Sequence, residues 1–291
     1  MPNTRDIRNR IRGVKNTQKI TRAMQLVAAS KMKKAQDRAL EGRPYAQQLR
    51  HMLASLDGKV EDFSHPFMEE RAVRQRGILL ISTDRGLCGA LNANLFREVA
   101  KLDGDNIAFV TVGRKGRQFL SRTQRNLLAD FTVSESAPFS EVRPVVEFMI
   151  DAFKSGTIDT IEVLYPRFKN TLIQEATFIP FLPLSNLANY VEAQATADGQ
   201  TLVTDTRDLV FEPDAASILT SLMDRFVKRE IYQMLIDARA SEHSARMVAM
   251  KAATDNAKKL TDSLTLQYNK ARQAAITQEI LEITAAAQHS G

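Results

Sequence analysis

The sequence predicts an α/β protein in which long N- and C-terminal helices pair as an antiparallel coiled coil around an inserted α/β domain. Three observations predict it. Residues 214–290 form a run of 77 without glycine or proline, rich in good helix formers. Residues 3–56 keep an alternating four-three spacing of apolar and small positions, which is a heptad seam. Between them, short apolar runs alternate with helical stretches and glycine turns, the pattern of a sheet with crossovers. The divisions fall at 1–56 for the first helix, 57–212 for the inserted domain and 213–291 for the last helix.

The first helix carries its seam on Ile7, Ile11, Val14, Gln18, Thr21, Gln25, Ala28, Met32, Ala35, Ala39, Gly42, Ala46, Leu49, Leu53 and Leu56. Fifteen positions follow without a slip, and Pro44 is expected to kink or loosen the helix near 41–44. In the last helix the seam is assigned to Ala253, Ala257, Leu260, Leu264, Gln267, Ala271 and Ala274, with a bulkier version upstream on Ile218, Leu222, Phe226, Met234 and Ala238. Pro213 fits the first helical position, where its missing N–H costs nothing. Fully helical, such a stretch is about 115 Å long, so it needs a partner along its length. With the two seams at opposite ends of the chain, an antiparallel pair is the economical solution.

Between them, 57–76 reads as a connecting loop marked by Gly58 and Pro66. Strands are expected at 77–82, 107–112, 127–133 and 159–165, with helices at 90–102, 118–122 and 142–154. An extended segment at 172–182 is placed at a sheet edge. This is a Rossmann-like layout. Residues 184–212 read as a long loop with a short strand at 201–204.

Composition narrows the function. No apolar run approaches the roughly 18 residues that span a bilayer, and the basic N-terminus lacks a secretory apolar core. Cys88 is the only cysteine, which suits a reducing compartment. His51, His65, His243 and His289 show no metal-ligand spacing, so no metal or other cofactor is expected. The net charge of +6 is uneven: residues 1–56 hold thirteen Lys/Arg against three Asp/Glu, whereas 57–213 hold seventeen against twenty-two. A basic first helix on a slightly acidic body implies an acidic partner.

Two glycine turns follow strands, at 82–89 and 113–117. Neither completes G-x-G-x-x-G or G-x-x-x-x-G-K-[ST], so both read as turns, the second solvated, rather than nucleotide or anion sites. No nucleophile–base set is visible. Lys31, Lys33, Lys34 and Arg38 leave three readings open: phosphate tracking on nucleic acid, docking on acidic protein surfaces, or a solvated coiled-coil face. No aromatic platform, recognition motif or zinc knuckle accompanies the charge. Composition does not choose among them.

Specific runs do. Asn16-Thr17-Gln18-Lys19-Ile20-Thr21-Arg22-Ala23-Met24, with Val27-Ala28-Ala29-Ser30-Lys31-Met32 and Arg43-Pro44-Tyr45, resembles the first helix of the gamma subunit of bacterial-type F-type ATP synthases. Thr83-Asp84-Arg85-Gly86-Leu87-Cys88-Gly89-Ala90-Leu91-Asn92 resembles that family's first strand–turn–helix. Ala245-Arg246-Met247-Val248-Ala249-Met250-Lys251-Ala252-Ala253-Thr254-Asp255-Asn256, Tyr268-Asn269-Lys270-Ala271-Arg272-Gln273 and Ile276-Thr277-Gln278-Glu279-Ile280 resemble its C-terminal signature. The resemblance spans essentially the whole chain.

That resemblance implies a non-catalytic central rotor shaft that couples proton flow through the membrane sector to ATP synthesis at the alpha/beta ring. It implies a hetero-oligomer with alpha and beta subunits, the epsilon subunit and the membrane c-ring as partners, and no nucleic acid. It also implies a peripheral membrane protein on the cytoplasmic face of the bacterial plasma membrane. Carried over by position, Lys19, Arg22, Met24 and Lys31 face the acidic lever loops of the beta subunits, and Arg246 lies in the zone coupled to Met24. Arg272, Gln273, Thr277, Glu279 and Glu282 match positions that bond the ring's catch loops and bearing. Phe211 and Glu212 fall near the rotor-ring contact. With no second cysteine, the dithiol gating of the chloroplast form is not expected.

Overall fold

The computed structural model describes residues 4–56, 65–102, 104, 106–184 and 214–289. Its elements run α1 (Thr4–Glu41), α2 (Arg43–Leu56), β1 (Arg76–Ile81), α3 (Leu91–Ala100), β2 (Ile107–Val112), α4 (Arg114–Arg122), β3 (Leu127–Phe131), α5 (Phe139–Lys154), β4 (Thr160–Phe168), β5 (Gln174–Leu182) and α6 (Ala215–His289). The chain divides into two compact units, one of Met1–Ala29 with Arg246–Gly291, the other Ser30–Ala245.

In the unit Ser30–Ala245, the five strands form one sheet in the order β3-β2-β1-β4-β5. The first four pair in parallel, and β5 pairs antiparallel with β4 through the short connection at 169–173. Strand side chains alternate between faces, and the two cores follow that alternation. Leu79, Ile81, Ala108, Val110 and Val112 face the core shared with α5 and α6. Ile78, Leu80, Ile107 and Phe109 face the smaller core under α3 and α4, where Phe96 and Phe119 stack with ring centroids 4.3 Å apart. Burial on both faces explains why β1 and β2 read as continuous apolar runs rather than alternating ones.

Gly77 has no room for a side chain: an added Cβ would stand 2.7 Å from the Thr160 carbonyl of β4. Asp159 accepts from the backbone N–H groups of Arg74 (2.8 Å) and Gln75 (2.9 Å) at the entry to β1. Arg76 and Glu162 then tie β1 to β4 by paired bonds of 2.8 and 2.7 Å, the fork geometry that makes arginine–carboxylate pairs directional.

The sequence places every strand, and the shifts are at the ends. The third strand stops at Phe131, level with Val112 where its partner β2 ends, and beyond it the Val133 carbonyl accepts from Arg239 at 2.7 Å. The stretch 113–117 is not a solvated turn but the start of α4. The last helix runs Ala215–His289, with Asp214 as its cap, accepting from Ser217 N–H at 2.8 Å and from its hydroxyl at 2.7 Å; Pro213 lies outside the described residues. The strand expected at 201–204 lies outside the described residues. The break expected at 41–44 is present: α1 ends at Glu41 and α2 starts at Arg43.

In the unit Met1–Ala29 with Arg246–Gly291, segments of α1 and α6 pair antiparallel. Thr21 meets Thr254 hydroxyl to hydroxyl at 2.8 Å, and Arg8 bonds the Tyr268 hydroxyl. A step down α1 is thus matched by a step up α6.

The α1 seam is as the periodicity predicts. In this unit Ile7, Thr21 and Ala28 are buried, with Ile11, Val14, Gln18 and Gln25 half-buried. The α6 seam is corrected. Its inward positions are Met250, Thr254, Ala257, Thr261, Leu264, Tyr268 and Ala271, while Leu260, Gln267 and Ala274 face outward and Ala253 is half-buried. Every second position is one residue later than expected. Thr254 and Thr261 bury because their hydroxyls donate back to Met250 (2.8 Å) and Ala257 (2.9 Å), leaving a methyl face to pack.

Candidate functional site

The antiparallel count leaves two surfaces of the first unit uncovered. The first is a basic stripe. Arg5, Arg8, Arg12, Lys15, Lys19 and Arg22 repeat at three and four residues, one position behind part of the seam, and all are exposed. The same heptad count, shifted by one residue, finds this stripe in the sequence. Arg8 leans on Tyr268, 5.4 Å from the ring centre. Arg12, Lys15, Lys19 and Arg22 form no ion pair among the described residues. Cations stacked along one helix face repel one another until an anionic surface meets them.

The second surface is the far end of α6. Counting from Thr21–Thr254, the start of α1 at Thr4 stands level with about residue 271. Beyond it α6 has no described helix alongside, and residues 272–284 are all exposed. Ile276, Ile280 and Ile283 form an apolar stripe there, 47%, 55% and 69% exposed. Apolar side chains at helical spacing left in water mark a surface that another chain covers.

The expected contact residues fall as follows. Lys19 and Arg22 lie in the basic stripe. Met24 is half-buried, and Arg246 is half-buried on α6. The helix register puts Arg246 level with about residue 29, roughly 7.5 Å along the axis from Met24. Arg272, Gln273, Thr277, Glu279 and Glu282 all lie on the uncovered end. There the Thr277 hydroxyl donates to the Gln273 carbonyl at 2.9 Å, and Glu282 accepts from Gln278 at 2.8 Å. Lys31 belongs to the other unit, with its ammonium 2.6 Å from Glu135. Phe211 and Glu212 lie outside the described residues.

The glycine turns are occupied by the protein itself. At the α4 N-terminus, Arg114 N–H donates to Asp84 Oδ1 (3.1 Å), Lys115 N–H to the Thr83 carbonyl (3.0 Å) and Gly116 N–H to Ser82 Oγ (2.8 Å). These first-turn donors would face a phosphate in a nucleotide-binding fold. Here the end of β1 takes them, with Asp84 as the internal anion. Gly113, at φ 100°, admits the Ser82 carbonyl where a side chain would stand.

The crevice at the carboxyl ends of β1 and β4, where open α/β sheets hold ligands, is filled by α6. Arg239, 6% exposed, reaches Asp84 at 3.7 Å and Glu242 at 3.0 Å. A cavity of about 10 Å³ remains beside it, the volume of a water rather than a nucleotide. In the first turn, Asn92 donates to Thr83 Oγ1 at 2.7 Å and Cys88 Sγ at 3.4 Å, and accepts from Thr83 N–H at 3.4 Å. Among the described residues there is no group of three His, Cys, Asp or Glu side chains placed for a metal, and no helix long and apolar enough to cross a membrane.

Residues 3–289 match the family model described as ATP synthase. The chain is 54% identical over 289 residues to the ATP synthase gamma chain of Opitutus terrae, covering 98% of each. It is 44% identical over 291 residues to that of Methylacidiphilum infernorum, again covering 98% of each. In fold it is similar to a chain of the Euglena gracilis mitochondrial ATP synthase OSCP/F1/c-ring structure, with a TM-score of 0.70, 21% identity and coverage of 99% and 95%. From its first helix to its last, this chain belongs to the ATP synthase gamma-chain family.

Proposed function

We propose that the chain is the rotating central shaft of an F-type ATP synthase, coupling proton flow through the membrane sector to ATP synthesis in a ring of alpha and beta subunits. The observation that carries this reading is the basic stripe of α1. In a chain of the gamma family, four exposed cations with no ion pair among the described residues call for acidic loops on the surrounding subunits. Lys19 and Arg22 meet those loops, and Met24 lies in the same segment of α1, half-buried on the side of the seam away from the stripe. Lys31 contributes less, because Glu135 already holds it. Arg246 acts with Met24, and Arg272, Gln273, Thr277, Glu279 and Glu282 bond the upper ring while the isoleucine stripe turns in an apolar sleeve.

The shaft carries torque and no bond chemistry. Asp84 and Arg239 fill the crevice where a nucleotide would sit, which supports this. The inserted domain, taken as 57–212, meets the epsilon subunit and the membrane c-ring, the latter near Phe211 and Glu212. The complex sits on the cytoplasmic face of a bacterial membrane with this chain peripheral to the bilayer.

A native mass measurement on the complex purified through a tagged copy tests the reading. Alpha and beta subunits are expected at several copies per gamma chain, with no ATP hydrolysis by the isolated chain. A tagged chain that brings down no ring subunits, or that hydrolyses ATP alone, overturns it.

A further inference from the structure

Five residues between β3 and α5, 133–137, gather polar contacts from both long helices. From α1, Lys31 donates to Glu135 Oε2 at 2.6 Å, and Arg38 donates to the Ser136 carbonyl. From α6, the buried Arg239 donates to the Val133 carbonyl at 2.7 Å, and His243 Nε2 lies 3.6 Å from Glu135 Oε1. The loop is itself stiff. Ser134 N–H donates to Glu141 at 2.7 Å, Ala137 N–H closes a turn on the Ser134 carbonyl at 3.0 Å, and Ala137 is buried at φ 42°.

Elsewhere the sheet touches α6 mainly through apolar side chains such as Met223, Phe226 and Leu235, and apolar contact is non-directional. Other polar tethers, Arg239 to Asp84 at 3.7 Å, Phe168 N–H to Asp237 at 3.0 Å and Ser244 to the Thr171 carbonyl at 2.8 Å, engage α6 alone. Charge-assisted hydrogen bonds have fixed directions and resist rotation, which packed methyl groups do less well.

We propose that this loop keys the sheet domain to both helices in rotation, with Glu135 as the positioning residue toward α1 and the Val133 carbonyl, held by Arg239, as the tie to α6. The proposal rests on the shaft reading above. A shaft that turns under load passes torque from helices to sheet, and this loop is the directional joint on that route.

The test uses the assembled ATP synthase. With the ring stalled, a probe on the sheet domain reports the angular variance of that domain about the shaft. Removing the Glu135 carboxylate, and with it the contacts to Lys31 and His243, raises this variance by up to about twofold in Glu135→Ala, and by a smaller factor in Arg38→Ala. Glu135→Asp restores most of the stiffness, and unloaded ATP hydrolysis stays near the parent rate in all three. A variance unchanged in Glu135→Ala overturns the key while leaving the shaft reading intact. If Glu135→Ala does not assemble, Glu135→Gln is read in the same way, and loss of assembly in both marks the loop as a folding element and overturns the proposal. A parent chain that joins no ring defeats the shaft reading itself, and the key with it.

Discussion

The guanidinium of Arg229 fills the space that a side chain on Gly42 would need, at the break between α1 and α2. Its carbon lies 6.0 Å from the Tyr45 ring centre and 5.4 Å from that of Tyr232, and Nη2 donates to Gln233 at 3.2 Å. Burial holds this arginine's pKa below the ordinary value.

Gly42→Ala therefore has two opposed effects. Alanine favours the helix by about 1 kcal/mol, but it evicts a partly buried cation worth about 1 kcal/mol on its aromatic neighbours. The single substitution is expected to be neutral to destabilising. In an Arg229→Ala background it becomes stabilising by about 1 kcal/mol. Urea denaturation of the four chains measures the difference, and simple additivity would show the two sites to be independent.

Thr254 shares its hydroxyl with Thr21 and the Met250 carbonyl. Thr254→Val should cost about 1 kcal/mol. Thr21→Val together with Thr254→Val should cost little more than either alone, since a buried polar pair replaced on both sides leaves no orphan. A double-mutant cycle on unfolding midpoints checks this, and a doubled cost would remove the pair as the register contact.

The glycines of the two turns are not equivalent. Gly113→Ala forces a side chain at φ 100° against the Ser82 carbonyl, at a cost on the order of 3 kcal/mol. Gly86→Ala meets nothing within 4 Å and should shift stability by less than about 0.5 kcal/mol. Thermal melts of the two variants give the comparison.

His65 is 7% exposed and accepts from Phe67 N–H at 3.2 Å through Nδ1. Burial, reinforced by Lys154 and opposed by Asp224, lowers its pKa from 6.5. The unfolded chain then binds a proton that the folded chain refuses, so this contribution is present above pH 6.5 and is lost as the pH falls through the folded value. Asp159, also lowered, has an ordinary value of 3.8, so its loss occurs at lower pH. A melting temperature that falls between pH 7.5 and 5.5 in the parent, and falls less in His65→Gln, is the expected result.

Met24→Lys adds a cation to the segment of α1 that the shaft reading places against the acidic loops of the beta subunits. On the shaft reading it tightens shaft against ring and lowers protons pumped per ATP by about threefold or more, with assembly retained. Pumping and hydrolysis assayed on the same vesicles measure that ratio, and an unchanged ratio contradicts the placement of Met24.

Much of this architecture is local in origin and was therefore open to the sequence. Heptad spacing set the seam of α1 and α2 from Ile7 to Leu53, and apolar runs with glycine stops located each described strand. Charge counting found the basic first helix without its alignment into one stripe. The α6 seam came out misphased because a hydrophobic count favours Ala253 and Leu260 over Thr254 and Thr261. Only a helix with its own carbonyls in place shows that the threonine hydroxyls are already satisfied.

The tertiary structure alone decided what distant segments do to one another. Asp84 became the anion at the α4 N-terminus, Arg239 closed the crevice of the sheet, and Glu135 drew Lys31 and His243 to one carboxylate. Periodicity reports which side of an element is buried. Which charge meets which depends on the order of strands across the sheet, and no spacing along the chain encodes that directly.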